Sequence, residues 1–302
     1  MNCTLCPRNC NVDRQTKNGF CGTADILISR IAPHAWEEPC ISGEKGSGTV
    51  FFGGCNLGCR FCQNYDITAT PHGVKVTVEQ LADIFLHVQS LGVANINLVT
   101  ASHFVDKVAQ ALRLAKPYLT IPVVYNTSSY EHVRSIKLLE GLVDIYLPDL
   151  KFCDQTLSGD FANAPDYFKV ATSVITEMRR QQPVDKFEDG YITNGVIVRH
   201  LVLPGCVEDS KRILDWLAMF DSNIHVSLMS QYFPARVDGK FPQLNRKLFH
   251  REYQSVCQYF SNVGLANGFT QDVESATVDY LPDFVDQDVQ AVLDTMIKKF
   301  SK

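Results

Sequence analysis

Cys55, Cys59 and Cys62 stand at Cys-x3-Cys-x2-Cys spacing inside Val50-Phe51-Phe52-Gly53-Gly54-Cys55-Asn56-Leu57-Gly58-Cys59-Arg60-Phe61-Cys62-Gln63-Asn64. This pattern constrains the chain more than any other, because three thiolates are one short of a closed site. Structural zinc and iron–sulfur sites normally take four ligands. With three, one metal corner stays open, and a small molecule can bind and react there. The bland alternative is three buried or zinc-binding cysteines on an ordinary loop.

The rest of the composition frames that reading. A chain of 302 residues, 45% of them hydrophobic, can bury one large core. A net charge of −5 argues against a general nucleic-acid-binding surface. The absence of an apolar run near 18 residues argues against a membrane-spanning helix. Met1-Asn2-Cys3-Thr4-Leu5-Cys6-Pro7-Arg8 lacks the apolar centre of a secretory signal. Eleven cysteines without such a signal read as metal ligands and reduced thiols, in a reducing, cytoplasmic setting.

Cys3, Cys6, Cys10 and Cys21 crowd the first 21 residues, among turn formers and Gly19 and Gly22. Close pairs with sharp turns are what a metal knuckle needs. Four thiolates would satisfy a closed zinc site or a second iron–sulfur cluster, and the spacing does not choose between them. Residues 1–46 therefore read as a cysteine-rich N-terminal extension, and 47–302 as the main domain. Within the extension, 23–46 reads as a polar, Pro/Gly-containing lead-in, with His34 and Trp36 packing the knuckle ahead of the acidic pair Glu37-Glu38.

From residue 49, apolar runs and helix-periodic runs alternate. Strands are expected at Thr49–Gly53, Asn95–Thr100, Ile121–Asn126, Leu142–Leu147, Gly195–Leu203 and Ile224–Met229. Helices are expected at Val78–Gly92, Phe104–Lys116, Tyr130–Leu139, Tyr167–Gln181, Val207–Phe220 and Arg246–Val263, with a C-terminal helix at Gln287–Phe300. Six β-α units predict an α/β fold with a parallel sheet covered by helices. They are too few for a closed eight-stranded barrel. A doubly wound sheet would show the same alternation.

In a parallel sheet the C-terminal strand ends share one mouth, where ligands bind. Polar groups mark each strand: the cysteine loop, Thr100-Ala101-Ser102-His103, Asn126-Thr127, Asp149-Leu150-Lys151, Arg199 and His200 on the strand that ends at Pro204-Gly205, and Ser230-Gln231. Unpartnered buried polar groups cost about 1–3 kcal/mol each, so core packing alone does not favour this pattern. Asp149 and Lys151 project to the same side of an extended segment, and by themselves they read as a surface ion pair. His103 reads as a cap for the helix that follows. Arg199 lies between apolar strand residues and needs a buried carboxylate, with substrate or cofactor as the expected source. Cys153, Cys206 and Cys257 have no neighbours at ligand spacing and read as small buried apolar groups.

The cysteine loop, with Phe61 directly before its third cysteine, resembles the cluster loop of the radical S-adenosylmethionine (SAM) superfamily. Asp149-Leu150-Lys151, Asn126-Thr127 one strand earlier, and Arg199 ahead of Val202-Leu203-Pro204-Gly205 are similar to the pyruvate formate-lyase activating enzyme branch. The Cys3–Cys10 run, Glu37–Gly43 and Gly46–Thr49 resemble its PflX-like group, and the resemblance covers roughly residues 1 to 265 on the six-unit count. It implies a partial (β/α)6 TIM-like barrel. It implies a [4Fe–4S] cluster on Cys55, Cys59 and Cys62, with SAM chelating the fourth iron through its amino and carboxylate groups. It implies reductive cleavage of SAM to methionine and a 5′-deoxyadenosyl radical that abstracts a hydrogen atom.

Carried over by position, Lys151 would contact the SAM carboxylate and Asp149 the ribose or methionyl end. Asn126 and Thr127 take the place of an Asp-Thr pair. The family's Gly-Gly-Glu is replaced by Thr100-Ala101-Ser102, and Gln231 falls near the position of the activase histidine. Asn64, Thr100, Ser102, Asn126, Thr127, Asp149, Lys151, Arg199 and Gln231 form the candidate SAM-binding set. Flavodoxin or ferredoxin is the implied reductant, and a glycyl-radical enzyme the most specific implied substrate. The alternatives are another protein, peptide or small molecule as substrate, or a non-catalytic iron–sulfur or zinc protein.

Overall fold

Apolar runs become strands and helix-periodic runs become helices in the computed structural model, which describes residues 2–234, 236, 238–272, 284 and 289–300. The strands are β1 (Ile26–His34), β2 (Ser47–Phe52), β3 (Val74–Val76), β4 (Ile96–Val99), β5 (Val123–Thr127), β6 (Ile145–Pro148), β7 (Lys186–Glu188), β8 (Tyr191–Leu201), β9 (His225–Met229) and β10 (Gly268–Thr270). The helices are α1 (Pro39–Ser42), α2 (Tyr65–Thr68), α3 (Val78–Ser90), α4 (Val105–Ala115), α5 (Val133–Ile136), α6 (Gln155–Ala162), α7 (Tyr167–Gln181), α8 (Val207–Phe220), α9 (His250–Asn262) and α10 (Val289–Phe300). Local chemistry sets several boundaries. Thr77 and Gln80 close a capping box at the start of α3, with bonds of 2.9 and 3.2 Å.

β2, β4, β5, β6, β8, β9 and β10 lie side by side in that order, each parallel to the next. The order never reverses, which excludes the doubly wound alternative, since that arrangement has a switch point. Crossovers of one hand wind such a sheet in one direction. β3 and β10 end the sheet and do not pair with each other, so the barrel is partial.

Four readings change. The lead-in at 23–46 contains β1, which pairs antiparallel with β2 from Ile28↔Phe52 to His34↔Ser47. Six parallel strands become seven, because Gly268–Thr270 adds an edge beside β9. The helix expected at Tyr130–Leu139 shrinks to α5 and a 3-10 turn, Lys137–Leu139. α9 starts at His250, not Arg246, and α10 at Val289, with Gln287 and Asp288 outside the described residues.

The core has two compartments. The larger lies between sheet and helices and holds Phe52, Phe85, Leu98, Phe104, Tyr125, Tyr146 and Tyr167. The smaller lies on the other face of the strands, where Val124, Ile145, Leu147 and Ile197 pack on Cys40 and Ile41 of α1. Alternate residues of a strand share a face, so Asn126, Asp149 and Arg199 continue that inner face toward the mouth. α1 closes the other end, where Asn95 Nδ2 donates to the Ile41 carbonyl at 2.7 Å. Among the described residues no helix is long and apolar enough to cross a membrane.

Gly48 is the tightest point between β2 and α3. A Cβ there would lie 2.3 Å from Val88 Cγ1 and 2.8 Å from Val93 Cγ2. Gly48→Ala should destabilise the protein by about 1–3 kcal/mol, the usual cost of overpacking. The urea midpoint of wild type and variant measures this, and equal midpoints would show that α3 does not depend on the glycine.

Candidate functional site

One cavity of about 220 Å³ opens at the C-terminal strand ends, against the roughly 10–15 Å³ that a single water needs. Cys55, Cys59 and Cys62 all line it, on the loop between β2 and α2. The loop makes two weak sulfur contacts with its own neighbourhood. Leu57 N donates to Cys55 Sγ at 3.4 Å, and Cys62 Sγ lies 3.4 Å from Thr68 Oγ1. Burial pushes the Cys59 and Cys62 thiols above their ordinary value, with Lys151 working against the rise at Cys59. A metal taken here therefore has to displace protons.

Of the other sequence candidates, Asn64, Thr100, Asn126, Thr127, Asp149, Lys151, Arg199 and Gln231 also line this cavity. Ser102 does not. It is buried beneath the wall, where its hydroxyl lies 3.1 Å from Thr127 Oγ1. Thr100 holds a left-handed backbone at φ 63°, which is unusual for a β-branched residue and is the kind of strain that collects at functional sites.

Arg199 is the hub of the site. Its Nε donates to Asp149 Oδ1 at 2.9 Å, one Nη to Asn126 Oδ1 at 2.6 Å and the other to Glu37 Oε2 at 3.2 Å. The carboxylate partners of Arg199 thus come from the chain itself. Lys151 Nζ donates to Asp149 Oδ2 at 2.6 Å, and the pair lines the mouth with Asp149 buried and Lys151 half-buried, so it is not a surface pair. Burial pushes the Asp149 carboxyl up, and Arg199 and Lys151 together overcome that and hold it below the usual carboxylate range. Burial lowers Lys151, and Asp149 and Cys59 overcome that to raise it. Glu37 goes the other way, because burial outweighs Arg199.

Glu37 is the site residue that the sequence reading missed. It stands just before α1 and also accepts from Asn97 Nδ2 at 3.2 Å and Asn126 Nδ2 at 3.4 Å. The available signal was the arginine in mid-strand, which demanded a carboxylate without naming it. His34 and Trp36 belong here too: both line the cavity instead of packing the knuckle.

His103 makes no side-chain cap. It is buried, with Nε2 2.9 Å from the Gly53 carbonyl and Nδ1 without a partner, and burial lowers its pKa to about 4. Cys206 is buried and Cys153 and Cys257 half-buried, all against the core. The N-terminal cysteines Cys3, Cys6, Cys10 and Cys21 surround a second, small cavity together with Arg14 and His103. Burial raises Cys21, and it pushes Cys6 up to about 11.

Among the described residues no three His, Cys, Asp or Glu side chains are grouped to hold a single metal ion. A lone zinc draws its sulfurs in to about 2.3 Å. An iron–sulfur cluster takes one thiolate per iron and accepts a wider set. At the mouth, three half-buried thiols on one wall of a polar cavity fit a cluster with one iron left for another ligand.

Behind the wall lies a buried acid. Thr127 Oγ1 donates to Glu131 Oε1 at 2.6 Å, and Tyr125 OH to Oε2 at 2.9 Å. Burial raises the Glu131 pKa to about 7, against these hydrogen bonds. Between its unfolded value and that pH the folded state keeps a proton that the unfolded chain releases. Stability therefore falls as pH rises through this window. Glu131→Gln should remove that slope, on the order of 3 kcal/mol at most. Urea midpoints at pH 5 and pH 8 test it, and identical slopes in both proteins would refute it.

Comparison with known proteins agrees with this geometry. A family model described as Radical SAM superfamily matches residues 49–217. An uncharacterized protein of Methanocaldococcus jannaschii is 31% identical over 269 residues, covering 85% of this chain and 73% of that one. The structure of Streptococcus suis SuiB bound to S-adenosylmethionine matches with a TM-score of 0.50 and 14% identity, over 77% of this chain and 52% of that chain. A domain of a pyruvate-formate lyase-activating enzyme from Bacteroides vulgatus matches with a TM-score of 0.38 and 14% identity, over 56% of this chain and 92% of that one. At 14% identity the likeness to SuiB speaks to the fold alone.

Proposed function

The chain belongs to the radical SAM superfamily, and from that premise we propose that it cleaves SAM reductively at a [4Fe–4S] cluster to abstract a hydrogen atom from a substrate in the barrel mouth. The observation that carries this is the convergence of Cys55, Cys59, Cys62, Lys151, Asp149 and Asn126 on one cavity. When bound, the cluster and SAM supply one-electron chemistry that no side chain offers.

The residues of the chain bind, orient and exclude water. Cys55, Cys59 and Cys62 would hold the cluster through their thiolates. Lys151, a compact cation, suits a carboxylate. Asp149 is locked between Lys151 and Arg199, so it presents a fixed negative edge to the mouth. Phe51, Leu57, Val99, Leu201 and Met229 form the apolar wall that keeps water from a reactive species.

The finer reading is activation of a glycyl-radical enzyme, with flavodoxin or ferredoxin as reductant in a reducing cytoplasm. The unclosed sheet supports it, because a peptide loop needs an open edge to reach the mouth. Modification of another protein, peptide or small molecule is the second reading. We also assign Cys3, Cys6, Cys10 and Cys21 to a second metal centre, on the cavity that they share.

Anaerobic reconstitution tests the first assignment. Replacing Cys55, Cys59 and Cys62 together with alanine should abolish the SAM-perturbed EPR signal of the reduced protein. A surviving signal would place the cluster elsewhere. Lys151→Ala should keep the cluster and weaken SAM roughly ten- to hundredfold, the loss expected for a charge-assisted hydrogen bond. SAM titration followed by 5′-deoxyadenosine assay measures this, and wild-type values in both would leave Lys151 as no more than the partner of Asp149.

A further inference from the structure

We infer that the N-terminal knuckle is a metal-organised clamp that sets the shape of the cysteine loop, a reading that rests on the second metal centre assigned above. The first observation is the small cavity. Cys3, Cys6, Cys10 and Cys21 line it, and so does His103, which is 2% exposed. The His103 Nε2 must carry the proton in its bond to the Gly53 carbonyl, which leaves Nδ1 as a bare lone pair. That nitrogen is buried and unpartnered beside four thiols. A buried lone pair without a donor is costly, and a metal centre that took Nδ1 as a ligand together with the thiolates of this cavity would answer it. Zinc and an iron–sulfur cluster share that chemistry.

The second observation is where the knuckle reaches. Arg8 lies between Cys6 and Cys10, and Asn56 and Leu57 lie between Cys55 and Cys59. Arg8 Nε donates to the Asn56 carbonyl at 2.7 Å, and one Nη to the Leu57 carbonyl at 2.7 Å. The Arg8 guanidinium stacks 3.9 Å over Phe20, whose ring meets Gly58: a Cβ on Gly58 would lie 3.2 Å from it. Gly54 has φ 89°, and a Cβ there would lie 2.5 Å from the Cys21 carbonyl. Arg14 donates to the carbonyls of His103 at 2.7 Å and Thr23 at 3.0 Å. The knuckle thus touches Gly54, Asn56, Leu57 and Gly58, on both sides of Cys55, and His103 holds Gly53 beside it.

As they stand, the four thiols are not grouped for a single ion. Loading must adjust the segment that carries Arg8, and Arg8 transmits the change to the Asn56 and Leu57 carbonyls, two of the four it holds, the others being those of Ala162 and Asn163 at the end of α6. Arg8 is therefore a positioning residue, acting on the cluster loop through its backbone.

The test uses the full-length chain, reconstituted in parallel with zinc(II) alone and with ferrous iron plus sulfide. Metal content per chain and amide hydrogen exchange over residues 53–59 are read for wild type, Cys10→Ser, Arg8→Gln and Arg8→Lys. Cys10→Ser should lose the knuckle metal, keep the iron on Cys55, Cys59 and Cys62, and exchange roughly tenfold faster across the loop. Arg8→Gln should keep both metals and show the same faster exchange, with Arg8→Lys in between. A Cys10→Ser protein with its full metal complement would overturn the metal site. Wild-type exchange in Arg8→Gln would overturn the clamp. Missing SAM-perturbed EPR in wild type would count against the proposed reaction alone, because loop exchange does not depend on SAM.

Discussion

A guanidinium inside a barrel has to be paired, and the pairing of Arg199 orders everything around it. Removing one partner from a buried ion pair typically costs about 3–5 kcal/mol, because the remaining charge is stranded. Arg199 meets this with Asp149 from β6's end, Glu37 from the turn before α1 and Asn126 from β5. Three segments far apart in sequence are thereby fixed to one point. Asp149 then has one oxygen committed to Arg199 and the other to Lys151. Lys151 is held within the field of Cys59, so the charge that pairs with Asp149 also faces the cysteine loop. The cavity carries acids and bases in alternation, which keeps buried charge from accumulating.

This arrangement also explains the N-terminal stretch. β1 and α1 do more than lead into the barrel. β1 doubles the edge beside β2, and α1 plugs the lumen with Cys40 and Ile41. The plug carries Glu37 to the arginine. Without it the inner face of β5, β6 and β8 would present Val124, Ile145 and Ile197 to water, about 25 cal/mol for each Å² exposed.

The winding of the barrel was legible because burial on both faces gives continuous apolar runs, and those runs alternate with 3.6-period helices. β1 was not legible for a physical reason. It mixes Ser29, Arg30, Pro33 and His34 with its apolar residues. Pro33 is tolerated because β3 covers β1 only from Ile26 to Ile28, so the chain beyond is an edge. β10 was missed because three residues carry no periodicity, and only register against Val226–Leu228 defines it. Most mouth residues could be found from strand ends. Ser102 misled because a strand end has two faces, and its hydroxyl turns toward Thr127 and the Glu131 network behind the wall. Glu37 was beyond reach because a mid-strand arginine states the charge of its partner but not the location.

The cysteine loop itself has little of its own to hold its shape. It contains glycines at positions 53, 54 and 58, and the φ values of 89° at Gly54 and 76° at Gly58 are ones that side-chain-bearing residues avoid. Glycine loses more freedom on ordering than any other residue, so such a loop needs external contacts to stay in one form. The structure supplies them from two directions. From the barrel, Asn56 Nδ2 donates to the Tyr130 carbonyl at 2.6 Å, and Arg60 N donates to the Phe161 carbonyl at 2.8 Å. From the knuckle come the Arg8 bonds on the other side, with the His103 bond to the Gly53 carbonyl beside them. The glycines that let the backbone turn tightly enough for three thiols are the same ones that let the Cys21 carbonyl and Phe20 ring approach. A larger residue at Gly54 would press on the Cys21 carbonyl and part knuckle from loop at that point. The first 25 residues and the cysteine loop are in this sense one structural unit, although two strands and a helix stand between them in sequence.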